Sequence, residues 1–332
     1  MKTITLSTSV VWRGIAPERR LHYGEKILSL GSCFSERIGS WLFRHGFDAM
    51  VNPFGTLYNP ISIAQALEYL AEGACSFDPS TLLFEHQGKY HSFMHHSRYS
   101  RPTWEETWQG IEEDLQRGKQ QLREGRWLLL TLGSAFLYTH KELGCVVANC
   151  HKLPEQHFTH TKGTKELFIA RLAPIIEQLL AHNEALEIIL TVSPIRYLRY
   201  GAPESQRCKA ELLLTAEALE ERFKGRVHYF PAYEIMMDEL RDYRYYAEDM
   251  IHPTDLAVEI IRQRLLTGWL SPSEEEALRT AEKLAQRALH RPMNATAEEQ
   301  EAHRRFLEQE GERIRHKFPN LVSRNLLSPL ES

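Results

Sequence analysis

Short apolar runs constrain this chain more than any other feature. Residues 26–30 (KILSL), 127–131 (WLLLT), 187–192 (EIILTV) and 227–230 (VHYF) are each too short for a core helix. The first three are close to continuously apolar, which suits strands buried on both faces better than strands with one wet face. Longer segments of helical period separate them. Phe34, Ile38, Trp41 and Leu42 share a helical face that stops at Gly46. Helices are likewise expected from Ile61 to about Ala71, from Thr103 to Gly125 with Thr103 and Glu106 as its capping pair, and over 165–182, 203–223 and 255–266, with a further one starting at Ala232. Strands alternating with helices predict an α/β fold, a parallel sheet with helices on both faces.

Two segments break this rhythm. Residues 82–93 read as a hairpin turning near Gln87-Gly88, and FLYTH with CVVAN as another around Leu143-Gly144. The segment VNPFGTLYNP, with two prolines and a glycine, reads as loop. Beyond Ser271 the chain becomes rich in charge, alanine and glutamate. Stretches 274–290 and 297–317, joined by RPMN, predict a C-terminal helical hairpin. The expected division is therefore a main domain over 1–270 and a helical extension over 271–332.

Composition narrows the function classes. The net charge of −4 comes without any basic run interleaved with aromatics, so no nucleic-acid partner is expected. No apolar stretch is long enough to span a bilayer, and MKTITLSTSVVWRG lacks the apolar core of a signal peptide. Five scattered cysteines form neither a disulfide framework nor a CxxC pair. A cytoplasmic protein with no membrane partner is the expectation; oligomeric state is not legible.

Three pieces of sequence bear on chemistry. Gly31-Ser32 sits where a strand meets a helix, at the carboxyl end of the sheet where open α/β folds bind ligands. Helix N–H groups there can stabilise an oxyanion, although a serine at that position also serves simply as N-cap. In Asp249-Met250-Ile251-His252, the following Pro253 keeps His252 out of helical geometry, and Asp249 is spaced to orient its imidazole. Gly55 stands in a loop where a backbone N–H could face a substrate oxygen.

Their order resembles that of the SGNH/GDSL hydrolases. The blocks LSLGSCF, NPFGTLYNPISI and VVANCHK resemble the GSCFA family in particular, over roughly residues 27–270. The resemblance implies a flavodoxin-like three-layer α/β/α sandwich. It further implies a nucleophile at Ser32, oxyanion-hole N–H groups at Ser32 and Gly55, and an Asp249–His252 pair. The implied reaction is hydrolysis of a small carboxylic ester, such as an O-acetylated sugar or metabolite, with no metal or organic cofactor.

Two departures stand out. The family's name motif ends in alanine where this chain has Ser35. The superfamily's G-x-N-D block is represented by Gly133-Ser134-Ala135-Phe136, without its asparagine. Asn149 is the expected substitute donor, with His151 and His96 as candidate pocket residues.

Rival readings remain at this stage. Cys33 could replace Ser32 as nucleophile, although adjacent residues in a turn point apart and Cys33 is expected to pack under the helix. The groups His91, His95, His96 and His151, His157, His160 raise a metal-dependent hydrolase, but neither H-E-x-x-H nor a Cys/His box is present. An inactive relative that only binds an acylated ligand is the alternative from another class.

Overall fold

A computed structural model describes residues 9–71, 79–289, 296–322 and 325–326. The amino-terminal eight residues, Cys75 and the RPMN linker lie outside the described residues.

Five parallel strands form the central sheet: β1 (Lys26–Gly31), β2 (Asp48–Val51), β5 (Trp127–Leu132), β9 (Glu187–Val192) and β10 (Val227–Phe230). Their spatial order is β10-β9-β5-β1-β2. The chain therefore starts near the middle, steps outward to β2, then crosses back and builds the other half. This is the flavodoxin-like order, and its reversal lies between β1 and β5.

Alternation along the strands sorts side chains into two cores. Leu28 and Leu30 of β1, Leu128, Leu130 and Leu132 of β5, and Ile188, Leu190 and Val192 of β9 point to one face. There they meet α2 (Pro60–Leu70), α3 (Trp104–Arg123), α4 (Lys165–His182) and α5 (Ala202–Arg222). Ile27, Trp127, Leu129 and Ile189 face the other way. That second core contains α1 (Cys33–Arg44), the short α6 (Ala232–Glu234) with its π-helical continuation Ile235–Glu239, and α7 (Asp255–Trp269). The result is the three-layer α/β/α sandwich.

The carboxyl-terminal α8 (Glu275–Leu289) and α9 (Ala297–Lys317) join the second core through Ala277, Ala281, Leu284 and Ile314. They share its apolar interior with Phe34 and Trp269. Among the described residues no helix is long and apolar enough to cross a membrane.

Accessory strands lie outside the main sheet. β3 (Leu83–His86) and β4 (Lys89–Ser92) form the expected hairpin, with Gln87 and Gly88 both at positive φ. β6 (Phe136–His140) pairs with β7 (Val146–Val147) as expected, and also with β8 (Phe158–Lys162).

Candidate active site

Ser32 follows β1 directly at the topological reversal. It is the N-cap of α1, with extended backbone, and its hydroxyl accepts the Phe34 N–H at 3.3 Å. The contact that starts the helix also holds Oγ at its positive end. Ser32 is only 1% exposed. The preceding Gly31 has φ +139, and a Cβ there would lie 2.4 Å from the Thr131 carbonyl oxygen. No other residue lets β1 run so close to β5 and then turn.

Ser35 is also explained. Its buried hydroxyl pairs with that of Ser29 at 2.7 Å, so the polar group is satisfied inside the layer.

The 249–252 turn is built by its own aspartate. Asp249 Oδ1 accepts the N–H groups of Ile251 (2.9 Å) and His252 (3.0 Å), while Oδ2 lies 2.6 Å from His252 Nδ1. Met250 takes the positive φ of +58 that the tight turn needs. These bonds hold the Asp249 carboxyl down at about 2, the His252 main-chain bond being the largest cause. An ionised carboxylate on Nδ1 selects the tautomer that leaves Nε2 as acceptor.

Two contacts tie this turn to the segment after β9 and to α1, the helix that Ser32 caps. The Arg196 N–H, just past β9, donates to the Ile251 carbonyl at 3.4 Å, and Arg37 of α1 donates to the Pro253 carbonyl at 3.3 Å. Arg37 also pairs with Asp255. Among the described residues His252 and Ser32 share no direct hydrogen bond; His252 is half exposed while Ser32 is buried.

The remaining candidates are placed as follows. The Gly55 N–H is already donated to the Asn52 carbonyl at 2.7 Å. Its glycine is required for another reason: φ is +80, and a Cβ would lie 2.1 Å from that of His96. Asn149 uses its side-chain oxygen to accept the His151 N–H at 2.9 Å, and its own N–H donates to the Phe93 carbonyl. His151 is buried, with Nε2 2.7 Å from the Ser92 carbonyl and Nδ1 without a protein partner. His96 is exposed and caps a short turn through Nδ1. None of these three side chains is hydrogen-bonded to Ser32 or His252 among the described residues. No three of His, Cys, Asp or Glu among the described residues stand together as a metal-holding set.

Cys33 is half-buried rather than packed fully under the helix. Burial pushes its thiol up, only partly offset by nearby N–H groups and Lys209. It is a protonated thiol at neutral pH, not an activated one.

Two residues emerge that the sequence reading passed over. Asn52, 1% exposed and at φ +44, accepts the Gly31 N–H with Oδ1 at 3.0 Å. Its Nδ2 is buried with no hydrogen-bond partner among the described residues. An orphaned donor of this kind costs about 1–3 kcal/mol and calls for an explanation. Where the superfamily block has asparagine, Ala135 is buried with its N–H on Cys208 Sγ at 3.0 Å.

Lys209 is the second. On α5 and 1% exposed, it donates from Nζ to the carbonyls of Gly133 and Ser193, both at 2.8 Å. Those residues immediately follow β5 and β9. Gly133 abuts Ser32: a Cβ on it would be 3.2 Å from Ser32 Cβ. Burial lowers the lysine to about 8. A signal for it existed, since Lys209 lies on the helical face of Ser205, Cys208, Leu212 and Leu219, all buried.

No curated protein and no solved structure matches the chain. The GSCFA family model does match, over residues 26–265, and with the strand order and the Gly31-Ser32 turn in place the chain belongs to the GSCFA family.

Proposed function

We propose that this protein is a serine hydrolase acting on a small carboxylic ester. Membership of the GSCFA family suggests a hydrolase-type enzyme. The single observation that carries the finer reading is the Asp249–His252 contact of 2.6 Å, in a turn fastened to the segment after β9 and to α1, the helix that Ser32 caps. An inert fold gains nothing from a carboxylate aimed at an imidazole whose far nitrogen is left open.

In this reading Ser32 Oγ attacks the ester carbonyl carbon and its proton passes to His252 Nε2. The tetrahedral oxyanion is held by N–H groups at the start of α1, Ser32 among them, and by Asn52 Nδ2. Collapse breaks the bond to the alcohol, which leaves with the proton from His252. Water then repeats the cycle on the acyl-serine and releases the acid. Gly55 serves the hole indirectly, by shaping the turn that carries Asn52. Asn149, His151 and His96 contribute no donor in this scheme. No cofactor is called for, and the four described cysteines are unpaired, as suits a cytoplasmic enzyme.

The burial of Ser32 favours one rival, a protein that binds an acylated ligand without cleaving it. Hydrolysis of a short aryl ester separates the two. Turnover should fall by on the order of 10³-fold or more in Ser32→Ala and persist in Cys33→Ala. Undiminished turnover in Ser32→Ala would exclude the serine mechanism.

A further inference from the structure

Two other arginines, Arg199 three residues along the chain and Arg37 on the Pro253 carbonyl, already have acidic partners. Arg199 pairs with Glu155, and Arg37 with Asp255. Among the described residues no carboxylate pairs with Arg196. Its Nη2 reaches only the Met237 sulfur at 3.7 Å, its Cζ stands 5.9 Å from the Tyr246 ring centroid, and its Nε is buried without a partner. A guanidinium carries five N–H donors in a planar fork that matches a carboxylate, and it cannot shed its charge by losing a proton. A partly buried fork facing a thioether and a ring is a binding group without its anion.

Its position says which anion. The Arg196 main chain bonds to Ile251, the residue before His252. Three residues upstream, Ser193 donates to the Leu132 carbonyl and accepts from Lys209, which in turn holds Gly133 against Ser32. Arg196 therefore follows the end of β9, four residues beyond Val192, with its main chain on the turn that carries His252. Its cation, unlike those of Arg37 and Arg199, has no acidic partner among the described residues, so an anionic group fits beside that turn.

We propose that the substrate is an ester bearing a carboxylate, which the Arg196 guanidinium receives beside the His252 turn. This rests on the hydrolase reading of the same site.

The test compares two acyl groups of equal shape, 4-nitrophenyl butyrate and the mono-4-nitrophenyl ester of succinate, in which a carboxylate replaces the terminal methyl. The wild type should favour the succinate ester in kcat/KM. Arg196→Met should lower the ratio of the two kcat/KM values by roughly 10- to 100-fold, the scale of hydrogen bonds to a charged group, and Arg196→Lys should restore part of it. A purely structural role for Arg196 lowers both esters together and leaves the ratio where it was. An unchanged ratio overturns the inference while Ser32-dependent turnover of both esters keeps the hydrolase reading. If neither ester is cleaved, calorimetric titration with succinate decides. Binding that is lost in Arg196→Met keeps the anion site and discards hydrolysis, and absence of binding overturns the anion site as well.

Discussion

The side chain of Asn52 accepts the N–H of Gly31, the residue before Ser32, at 3.0 Å with its oxygen, and leaves the nitrogen of the same amide buried and unbonded among the described residues. The Gly31 bond fixes which end of the amide is which, because only oxygen can accept that N–H. The free end is a donor on a side chain anchored to the residue before Ser32, and the proposed reaction uses it for the oxyanion. Such pre-organised donors supply much of the transition-state stabilisation in acyl transfer.

Asn52→Gly is the substitution that isolates this role, since glycine accepts the φ of +44 without strain. Its kcat should fall roughly 10²-fold with KM little changed. Loss of the Gly31 bond should cost about 1 kcal/mol of stability. Asn149→Ala should show the reverse pattern, a lowered melting temperature and near-normal kcat, because its oxygen serves the His151 N–H. Kinetics on the two variants, measured with one substrate, decides between the donors; a kcat loss confined to Asn149→Ala contradicts the assignment.

Asp249→Asn tests the imidazole partner without dismantling the turn. An asparagine oxygen can still accept the Ile251 and His252 N–H groups, so the melting temperature should stay within a few degrees. The carboxylate on Nδ1 is gone, and kcat should drop by about 10³- to 10⁴-fold. A variant that retains most of its activity would mean that His252 is not the base.

Lys209 makes a prediction through its titration. Its folded value near 8 lies below the 10.5 of a free lysine. Between those values the unfolded chain holds a proton that the folded chain lacks, so this group makes stability rise with pH across that window, by on the order of 3 kcal/mol at most. The groups facing it are Cys208 on its own helix, Cys33 of α1 and Tyr233 of α6. Chemical denaturation of wild type and Lys209→Met between pH 7.5 and 9.5 should show the two stabilities diverging as pH rises, the wild type gaining. Parallel curves would contradict a buried ammonium.

Acid should act through buried histidines. Burial lowers His95 to about 3, and His151 and His45 to about 4. Each is neutral in the fold and takes a proton in the unfolded chain below about 6.5. Their contribution is complete above that value and is lost as pH falls towards 4, together several kcal/mol. The melting temperature should therefore decline between pH 6.5 and 4.5, and His95→Phe should reduce the slope. A flat profile over this range would count against the buried, neutral assignment.

Much of the fold was legible because burial on both faces leaves a compositional trace. β9, β10 and α4 fall on the expected residues, and β5 extends the expected run by one. β2 was not legible: four residues at the sheet edge, starting with Asp48 and mostly half-buried, carry no such trace. β8 (FTHTK) is likewise polar and mostly exposed, and becomes a strand through pairing with β6. At the site, Ser32, Asp249 and His252 could be named because strand-turn-helix and D-x-x-H-P are local patterns. Asn52 could not. The role proposed for it depends on Gly31, 21 residues earlier in the chain, and on an amide nitrogen without a partner among the described residues. Gly55 shows the converse, a loop glycine whose meaning lies in the His96 side chain packed against it.

The central claim is that Ser32 is the nucleophile served by His252, and covalent labelling tests it most directly. Wild-type protein treated with a fluorophosphonate at neutral pH, digested and analysed by mass spectrometry should carry the adduct on Ser32. Labelling should be lost in Ser32→Ala and strongly slowed in His252→Ala, because the probe reacts with a serine only when a base takes its proton. An adduct on Cys33, or labelling of Ser32 at the same rate without His252, would contradict the account.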